Sequence, residues 1–253
     1  MVSLMGCGNT KKIQELADST ESFDQKRYSK NDIRNLPEPV QRYFNYALTD
    51  GQSYVDDLHL KQEGVFKTKL ENDFVPITAE QYFTAGNPGF VWLGKTKTFK
   101  ARDSYINGQG ALSVYLFGFL RVVKYTGHAA NQAELLRWLG ESVWMPTSLL
   151  SNENITWEPI DKNHAKLVMN YQGLEVYYEI GFSDKGQIVS MLTERYTDDD
   201  NKAPWLGEVS NYEKENGMMV PKTIEASWII DGEIKPYARF NVTEMKYEAS
   251  RMW

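Results

Sequence analysis

The feature that most constrains this chain is a hydrophobic period of two that persists over two long stretches. From Tyr54 to Tyr125 apolar and polar residues alternate, and turn signals recur about every ten residues, most clearly at 87–89 and 107–108. This alternation indicates β-strands with one buried face. We expect strands over about 55–70, 74–85, 89–106 and 110–125. The last of these has apolar residues on both faces, which predicts that it is covered on both sides.

The second stretch, from Ile155 to Tyr247, shows the same period and is divided by short polar turns such as Gln172-Gly173, Asn216-Gly217 and Asp231-Gly232. Short connections favour neighbouring antiparallel strands, and no alternation of strands with helices interrupts them. Because strands twist, an antiparallel sheet of ten or more strands curls. The sequence therefore predicts a mainly β fold in the α+β class, a curved antiparallel meander that forms an incomplete barrel.

Two amphipathic helices accompany the strands. One follows Pro39, with apolar residues from Val40 to Leu48 at helical spacing. The other is predicted over 131–144, where Asn131 is a suitable N-cap, Glu134 completes a capping box and Pro146 ends the helix. Since a curved sheet must cover its concave face, we expect the 131–144 helix to lie across the mouth of the half-barrel as a lid.

Composition narrows the classes of function. The 253 residues contain 28 Lys and Arg against 34 Asp and Glu, a net charge of −6, and this balance argues against a nucleic-acid partner. Aromatic residues are abundant, and six fall on the predicted lid or on strands of the covered face. They are candidate ligand-binding residues for an apolar molecule or lipid, with ordinary core packing as the alternative: Phe90, Trp92, Tyr115, Phe117, Trp138 and Trp144.

The sequence shows little catalytic chemistry. The three histidines are far apart and lack metal-ligand spacing, and no nucleophile elbow surrounds a serine. We therefore predict no metal, no cofactor and no identifiable catalytic residue. Two charged pairs, Arg102-Asp103 and Glu194-Arg195, interrupt half-apolar strands, so one member of each pair points inward. Such a residue forms either a buried ion pair or a site for an anionic headgroup.

The single cysteine bears on location. Leu4-Met5-Gly6-Cys7 resembles a bacterial lipobox, in which the cysteine receives lipid after cleavage, and a small polar tract follows it. The five residues before Gly6 are too few for the apolar core of a signal peptide, so an upstream start or an accidental match are the two explanations. We predict lipidation at Cys7, a tether over 1–30 and one β-rich domain over 31–253. The expected location is the cell envelope, with the cytoplasm as the alternative.

Several phrases occur together in a familiar order: 36–43 (LPEPVQRY), 78–83 (TAEQYF), 88–92 (PGFVW), 143–147 (VWMPT), 157–161 (WEPID) and 219–222 (MVPK). In these phrases the chain resembles an uncharacterised bacterial family, a conserved domain of unknown function, over about residues 35–248. That resemblance implies no activity and no catalytic residue. At the level of fold alone, the predicted architecture is similar to half-barrel carriers that move lipids or lipoproteins between bacterial membranes.

Three hypotheses about function follow. The leading one is an envelope lipoprotein that binds an apolar ligand or lipid and is not an enzyme. The second is a hydrolase that acts on an envelope component through carboxylates that the sequence does not identify. The third is a non-catalytic envelope scaffold with a filled core. The first two require a cavity beside the aromatic residues, and the second also requires close, buried carboxylates.

Overall fold

A computed structural model describes residues 4–248 of the chain, with side chains from residue 8 onward. The described part contains three α-helices, α1 (Leu4–Asp18), α2 (Glu38–Ala47) and α3 (His128–Glu141), and short 3-10 helices at Lys30–Ile33, Ser142–Trp144 and Pro146–Leu149. Its thirteen strands are β1 (Asp57–Phe66), β2 (Val75–Thr84), β3 (Gly89–Lys95), β4 (Phe99–Ile106), β5 (Gln109–Leu116), β6 (Leu120–Thr126), β7 (Ile155–Pro159), β8 (His164–Tyr171), β9 (Leu174–Phe182), β10 (Ile188–Tyr196), β11 (Lys202–Glu215), β12 (Met218–Ile230) and β13 (Glu233–Tyr247).

All thirteen strands belong to one antiparallel sheet in the order β6-β5-β4-β3-β2-β1-β13-β12-β11-β10-β9-β8-β7. The sheet consists of two meanders, β1–β6 and β7–β13. Within each meander every strand pairs with its neighbour in sequence, as the short polar turns predict. The strands β6 and β7 are the two edges and do not pair with each other, so the sheet is not closed. The predicted fold class, a curved antiparallel meander that forms an incomplete barrel, is confirmed.

The two meanders are joined by β1 and β13, the first and last strands of the chain. Their register runs from Leu58 opposite Tyr247 to Phe66 opposite Ala238, and a bulge lies between Lys61 and Gln62. Because these are non-local contacts, hydrophobic periodicity alone could not predict them. This pairing places the middle of the chain, from β6 through α3 to β7, at the two free edges.

The helix α3 bridges the two meanders across the concave face. It contacts β4, β5 and β6 of the first meander and β9 and β10 of the second, which confirms the predicted lid. The helix α2 packs against β8 and β12. The helix α1 lies on the other side of β3, where Leu16 is buried with Val91 and Ile106. No helix within residues 4–248 is long and apolar enough to cross a bilayer.

The lid helix starts one turn earlier than its predicted N-cap. Helix α3 begins at His128 after Gly127, whose positive φ of 109° suits glycine. Asn131 lies inside the first turn, and its side-chain oxygen accepts a hydrogen bond from the backbone N–H of Gly110 in β5 at 2.8 Å. The prediction of Asn131 as the N-cap, with Glu134 completing a capping box, is therefore wrong, and the side chain of Asn131 ties the helix to the sheet instead. After Glu141 the chain continues as 3-10 turns.

Two of the predicted strands are each a pair of strands. The segment 89–106 divides into β3 and β4 at a turn in which the Thr96 hydroxyl accepts hydrogen bonds from the backbone N–H groups of Thr98 and Phe99. The segment 110–125 divides into β5 and β6 at Phe117 and Gly118, which both have positive φ as in a type I′ turn. A phenylalanine is an unusual residue for that position, and so the sequence did not signal this turn.

The close pairing of β1 and β13 generates a prediction about stability. A Cβ on Gly64 would lie 2.0 Å from the carbonyl oxygen of Arg239, a backbone atom that cannot move without disturbing the strand pair. We expect Gly64→Ala to lower the free energy of unfolding by roughly 1–3 kcal/mol, as overpacking does elsewhere. Urea unfolding followed by circular dichroism measures this. The control is Gly8→Ala in α1, where a Cβ has ordinary space 3.5 Å from Arg102; equal stabilities for the two variants would contradict the prediction.

Candidate ligand cavity and its charged wall

A cavity of about 380 Å³ lies between α3 and the concave face of the sheet. Strands of both meanders and the underside of α3 contribute its wall, which is mainly apolar and aromatic. The principal apolar and aromatic side chains are Phe66, Ile77, Trp92, Phe99, Leu112, Val114, Tyr178, Met191, Trp205, Ile224, Trp228, Tyr237 and Phe240. The charged side chains are Asp103, Glu134, Arg137, Glu141, Arg195 and Glu225.

Arg137 joins the lid helix to the sheet through Asp103 and also pairs with Glu141 on its own helix. Its Nη1 donates to Asp103 Oδ2 in β4 at 2.7 Å, and its Nε donates to Glu141 Oε1 at 2.9 Å. The other oxygen of Glu141 accepts from Gln81 Nε2 in β2 at 2.7 Å. These side chains are mostly buried, and a buried charge is costly unless it is paired. Arg137 and its two carboxylates compensate one another. Removing one partner from such a network leaves a buried charge unpaired, which is costly.

Two aromatic rings hold the same guanidinium. Its carbon lies 4.9 Å from the ring centre of Phe90 and 5.0 Å from that of Trp92, both in β3. Contacts of this kind are attractive and strengthen when water is excluded. The indole N–H of Trp92 donates to Gln62 Oε1 at 3.1 Å, so the ring is itself fixed. The guanidinium group of Arg137 is therefore held at its edge by two carboxylates and at its face by two aromatic rings.

Glu134 lies beside Asp103 in the cavity wall, and its surroundings change its pKa. Burial and the neighbouring negative charge of Asp103 raise the pKa of Glu134 well above its usual value, although Arg137 and Arg195 oppose this change. One oxygen of each carboxyl group, Glu134 Oε2 and Asp103 Oδ1, is buried without a hydrogen-bond partner. A proton on Glu134 donated to Asp103 would satisfy both oxygens.

Arg195 is the second guanidinium of the cavity wall, and its pairing differs from that of Arg137. Its Nη2 donates to the carbonyl oxygen of Ala133 in α3 at 3.1 Å, and its guanidinium carbon lies 5.0 Å from the ring centre of Trp205. Within residues 4–248 no ion pair to Arg195 is formed, and burial raises the pKa of Glu134, the nearby acid. The arginine is thus a half-buried cation that lines the cavity with further donors available.

Two of the charged residues that line the cavity come from the pairs that the sequence identified. Asp103 and Arg195 line the cavity, whereas Arg102 points to the opposite face, where its Nη1 donates to Asn9 in α1. One of the two possibilities left open for such residues, a buried ion pair, is found: Asp103 pairs with Arg137. Arg195 forms no ion pair within residues 4–248, and a site for an anionic group remains a prediction there.

The six aromatic residues predicted to bind a ligand are found in different places. Trp92 lines the cavity, and Phe90 lies next to it under Arg137. Trp138 is buried in the core, where it stacks on Phe83 and donates to the carbonyl oxygen of Thr84 at 2.8 Å. These contacts give Trp138 a role in packing the lid onto the sheet.

The other three residues lie away from the cavity. Trp144 is buried after α3 and donates to the carbonyl oxygen of Pro221 at 3.0 Å. Tyr115 follows the cavity-lining Val114 in β5 and so points to the opposite face. Phe117 lies at the β5–β6 turn with 79% of its surface exposed. The side chain of Cys7, the predicted lipidation site, lies outside the described residues.

The sequence interpretation missed the charged face of the lid helix. Glu134, which fits a capping box, is instead a buried member of the cavity wall, and Arg137 and Glu141 follow it at i+3 and i+7. These residues therefore share one helical face, in a helix that is otherwise apolar nearly all round. The signal that could have revealed this charged face is the helical spacing of the charged side chains within such a helix. Within residues 4–248 no group of three or more His, Cys, Asp or Glu is placed to hold a metal ion.

A family model described as "Family of unknown function (DUF6544)" matches residues 26–240, most of the chain. This match confirms the resemblance to an uncharacterised family. No curated protein matches the sequence.

Solved structures show only distant likeness. A LolA superfamily protein from Nitrosomonas europaea is 9% identical over 82% of this chain and 91% of its own, with a TM-score of 0.44. A domain described as an outer membrane lipoprotein-sorting protein, from Vibrio parahaemolyticus, is 12% identical over 76% and 86%, with a TM-score of 0.39. A DUF1329 family protein from Desulfovibrio piger is 10% identical over 94% and 92%, also at 0.39. At these values the likeness says nothing about function.

The state of Glu134 generates a prediction about pH. Above pH 4.5 unfolded Glu134 loses its proton while the folded chain keeps it, so this residue lowers stability increasingly as pH rises towards its folded pKa. Glu134→Gln keeps a donor for Asp103 and removes this effect. We expect the variant to be more stable than the parent at pH 7, by about 1.4 kcal/mol for each unit by which the pKa is raised, with the advantage shrinking towards pH 4.

Urea unfolding at a series of pH values measures this difference. The matched control is Glu141→Gln on the same helical face, which removes an ionised partner of Arg137 and should cost about 1.5–3 kcal/mol at pH 7. If Glu134→Gln were as destabilising as Glu141→Gln at pH 7, Glu134 would be an ionised structural carboxylate and the assignment of its proton would be wrong.

Proposed function

We propose that this chain, which belongs to the DUF6544 family of unknown function, binds an apolar ligand such as a lipid in the cavity beneath α3, at the cell envelope. The observation that carries the proposal is the cavity itself, a space of about 380 Å³ with mainly apolar and aromatic walls between the lid helix and the concave sheet. Pockets for small molecules commonly measure 300–1,000 Å³ and have this composition.

The cavity favours binding over a purely structural role. A scaffold needs a filled core, and close packing leaves few spaces larger than a water molecule. Here the walls converge from both meanders and the lid, and rings such as Trp205 and Trp228 face the space. An apolar ligand would bury these surfaces, and burial of apolar area is the main source of affinity in such sites.

The charged side chains suggest the polar end of the ligand. Arg137 already has two carboxylate partners, whereas Arg195 has a carbonyl oxygen and an aromatic ring. We propose that Arg195 pairs with an anionic group, such as a carboxylate or phosphate at one end of a lipid. A charge-assisted hydrogen bond of this kind is stronger than a neutral one.

The location at the envelope rests on the lipobox-like sequence that ends at Cys7. In this proposal a lipid on Cys7, the fourth residue of α1, anchors the chain. The test is the mass of the protein extracted from native membranes. A Cys7 that carries an acylated glyceryl group supports the anchor, and an unmodified thiol in a soluble fraction contradicts it.

A second candidate function has its own observation. Asp103 and Glu134 form a close pair of buried carboxyl groups in the cavity wall, and burial together with the charge of Asp103 raises the pKa of Glu134. A carboxyl group with a raised pKa beside a second carboxyl group is a common arrangement of a general acid and a general base in hydrolases. Against it, Asp103 is also bound by Arg137, and the described residues that line the cavity include no serine, cysteine or histidine. Turnover of an envelope lipid that is lost in Glu134→Gln would favour the hydrolase.

Filling the cavity tests the main proposal. Ala226 lines the cavity from β12, so Ala226→Trp should occupy the space and lower the affinity for a fluorescent fatty acid by about tenfold or more. Fluorescence titration measures the affinity. The matched control is Val189→Trp, the same new side chain at a position of β10 that is 39% exposed. Equal affinities for both variants and the parent, or no binding by the parent, would overturn the proposal.

Arg195 can be tested with two ligands that differ only in charge. We expect Arg195→Gln to weaken the binding of a long-chain fatty acid by about tenfold or more, because a charge-assisted hydrogen bond is lost. The affinity for the matching fatty alcohol should change little. The control is Arg102→Gln, which removes the same charge from the opposite face of the sheet. Equal losses for the acid and the alcohol would show that Arg195 shapes the cavity without pairing with an anion.

A further inference from the structure

The hairpin formed by β5 and β6 presents a group of apolar side chains to solvent. Phe117 and Phe119 are 79% and 77% exposed at its tip. Strand β6, which follows the tip, is also exposed along most of its length, including Leu120, Val122 and Val123. The prediction that this segment is covered on both sides is therefore wrong. Exposed apolar residues that are contiguous usually mark a surface for interaction.

The backbone at the tip adds to this observation. Phe117 has a φ of 51° and Gly118 a φ of 81°, and the backbone N–H of Phe119 donates to the carbonyl oxygen of Leu116 at 3.2 Å. Asparagine or aspartate followed by glycine is the usual sequence for such a turn, because those residues tolerate the left-handed region. A phenylalanine there is exposed and unfavourable to the backbone, so neither packing nor local conformation explains it.

The charges around the tip are of one sign. Residues 95–126 contain six basic residues and a single acidic one, Asp103, which is buried in the ion pair with Arg137, although the whole chain has a net charge of −6. Five of the basic side chains are exposed, and none of these five forms an ion pair within residues 4–248. They are Lys95, Lys97, Lys100, Arg121 and Lys124.

Several of these cations lie close to the phenylalanines. The turn between β3 and β4, which carries Lys97, contacts the tip through a hydrogen bond from the N–H of Phe117 to the carbonyl oxygen of Thr98 at 3.4 Å. The Nζ of Lys100 lies 3.8 Å from the Cβ position at Gly118. Arg121 pairs with Tyr115 in the β5–β6 ladder, next to the turn. The tip is thus an apolar point surrounded by cations.

We propose that the β5–β6 hairpin docks the protein on an anionic lipid surface, with Phe117 and Phe119 inserted among the headgroups and the basic residues paired with lipid phosphates. Apolar side chains combined with basic ones are what a bilayer interface accommodates, and each cation near an anionic surface contributes about a fivefold gain in affinity. The charge complementarity selects lipid over a second copy of this chain. Two β6 edges in contact would bring Arg121 and Lys124 against like charges.

The position of the hairpin links this surface to the cavity. Phe99 lines the cavity and is the strand partner of Leu116, the residue before Phe117. Val114, earlier in β5, also lines it. A docked hairpin therefore brings one wall of the cavity to the bilayer. The docking itself depends on exposed residues outside the cavity and does not require the proposed ligand.

Flotation with lipid vesicles tests the proposal, using protein that lacks lipid on Cys7. The parent should bind vesicles of phosphatidylcholine mixed with phosphatidylglycerol and bind vesicles of phosphatidylcholine alone far less. The double variant F117N/F119S should lower binding to anionic vesicles at least about tenfold. Asparagine at position 117 suits the turn, so the variant should unfold no more easily than the parent. The control is Ile234→Ser, which removes an apolar side chain that is 56% exposed on β13.

A second pair of variants tests the charges. The triple variant K97Q/K100Q/R121Q should lower binding roughly 100-fold at low salt, and the matched triple K162Q/K185Q/K214Q, with the same change in net charge at other exposed sites, should lower it far less. Equal losses for the two triples, or no loss for F117N/F119S, would overturn the proposal. A parent that self-associates through the tip and ignores anionic vesicles would also overturn it in favour of a second copy.

Discussion

The pairing of β1 with β13 is the constraint on which the rest of the structure depends. It joins the two meanders into one sheet and leaves β6 and β7 as free edges. Because those edges are consecutive in the chain, the segment between them has to cross the concave side, and α3 does so. The lid, the cavity beneath it and the exposed hairpin at the β6 edge therefore all follow from one long-range strand pair. Such a contact has a large loop-closure cost, which the continuous ladder on both sides offsets.

The charged network under the lid has a structural consequence and a chemical one. Buried ion pairs are weak evidence for stability, since desolvation opposes the attraction, but they fix geometry when every partner is in place. Arg137, held by Asp103, Glu141 and the rings of Phe90 and Trp92, gives the lid one orientation over the sheet. That orientation leaves Arg195 beside Ala133 and Trp205, facing the cavity. The same arrangement brings Glu134 against Asp103, where burial and the neighbouring negative charge raise its pKa.

The sequence predicted much of the fold and only part of the site. A period of two and short polar turns were sufficient for an antiparallel meander with a lid, because these signals are local. Strand alternation also predicted that one member of each charged pair points inward, and the structure shows that these members are Asp103 and Arg195. Three of the aromatic residues lie away from the cavity for reasons that composition cannot reveal. Phe117 lies at a turn that the sequence did not signal, Tyr115 points to the other face of β5, and Trp144 donates a hydrogen bond to Pro221. Glu134 looked like a capping residue because it stands three residues after Asn131. It does not cap the helix, because α3 begins three residues before Asn131.

What the sequence by itself determined is the class of fold, the covering helix and the family, since each rests on short-range patterns or on phrases read in order. Only the tertiary structure decided which aromatic residues pack the core and which face a cavity, and which arginine lacks a carboxylate partner. It also decided that β6 is an exposed edge, although its composition resembles that of a buried strand. The physical reason is that burial and pairing are set by residues distant in the chain. Alternation gives the two faces of a strand, but the partners packed against each face come from elsewhere.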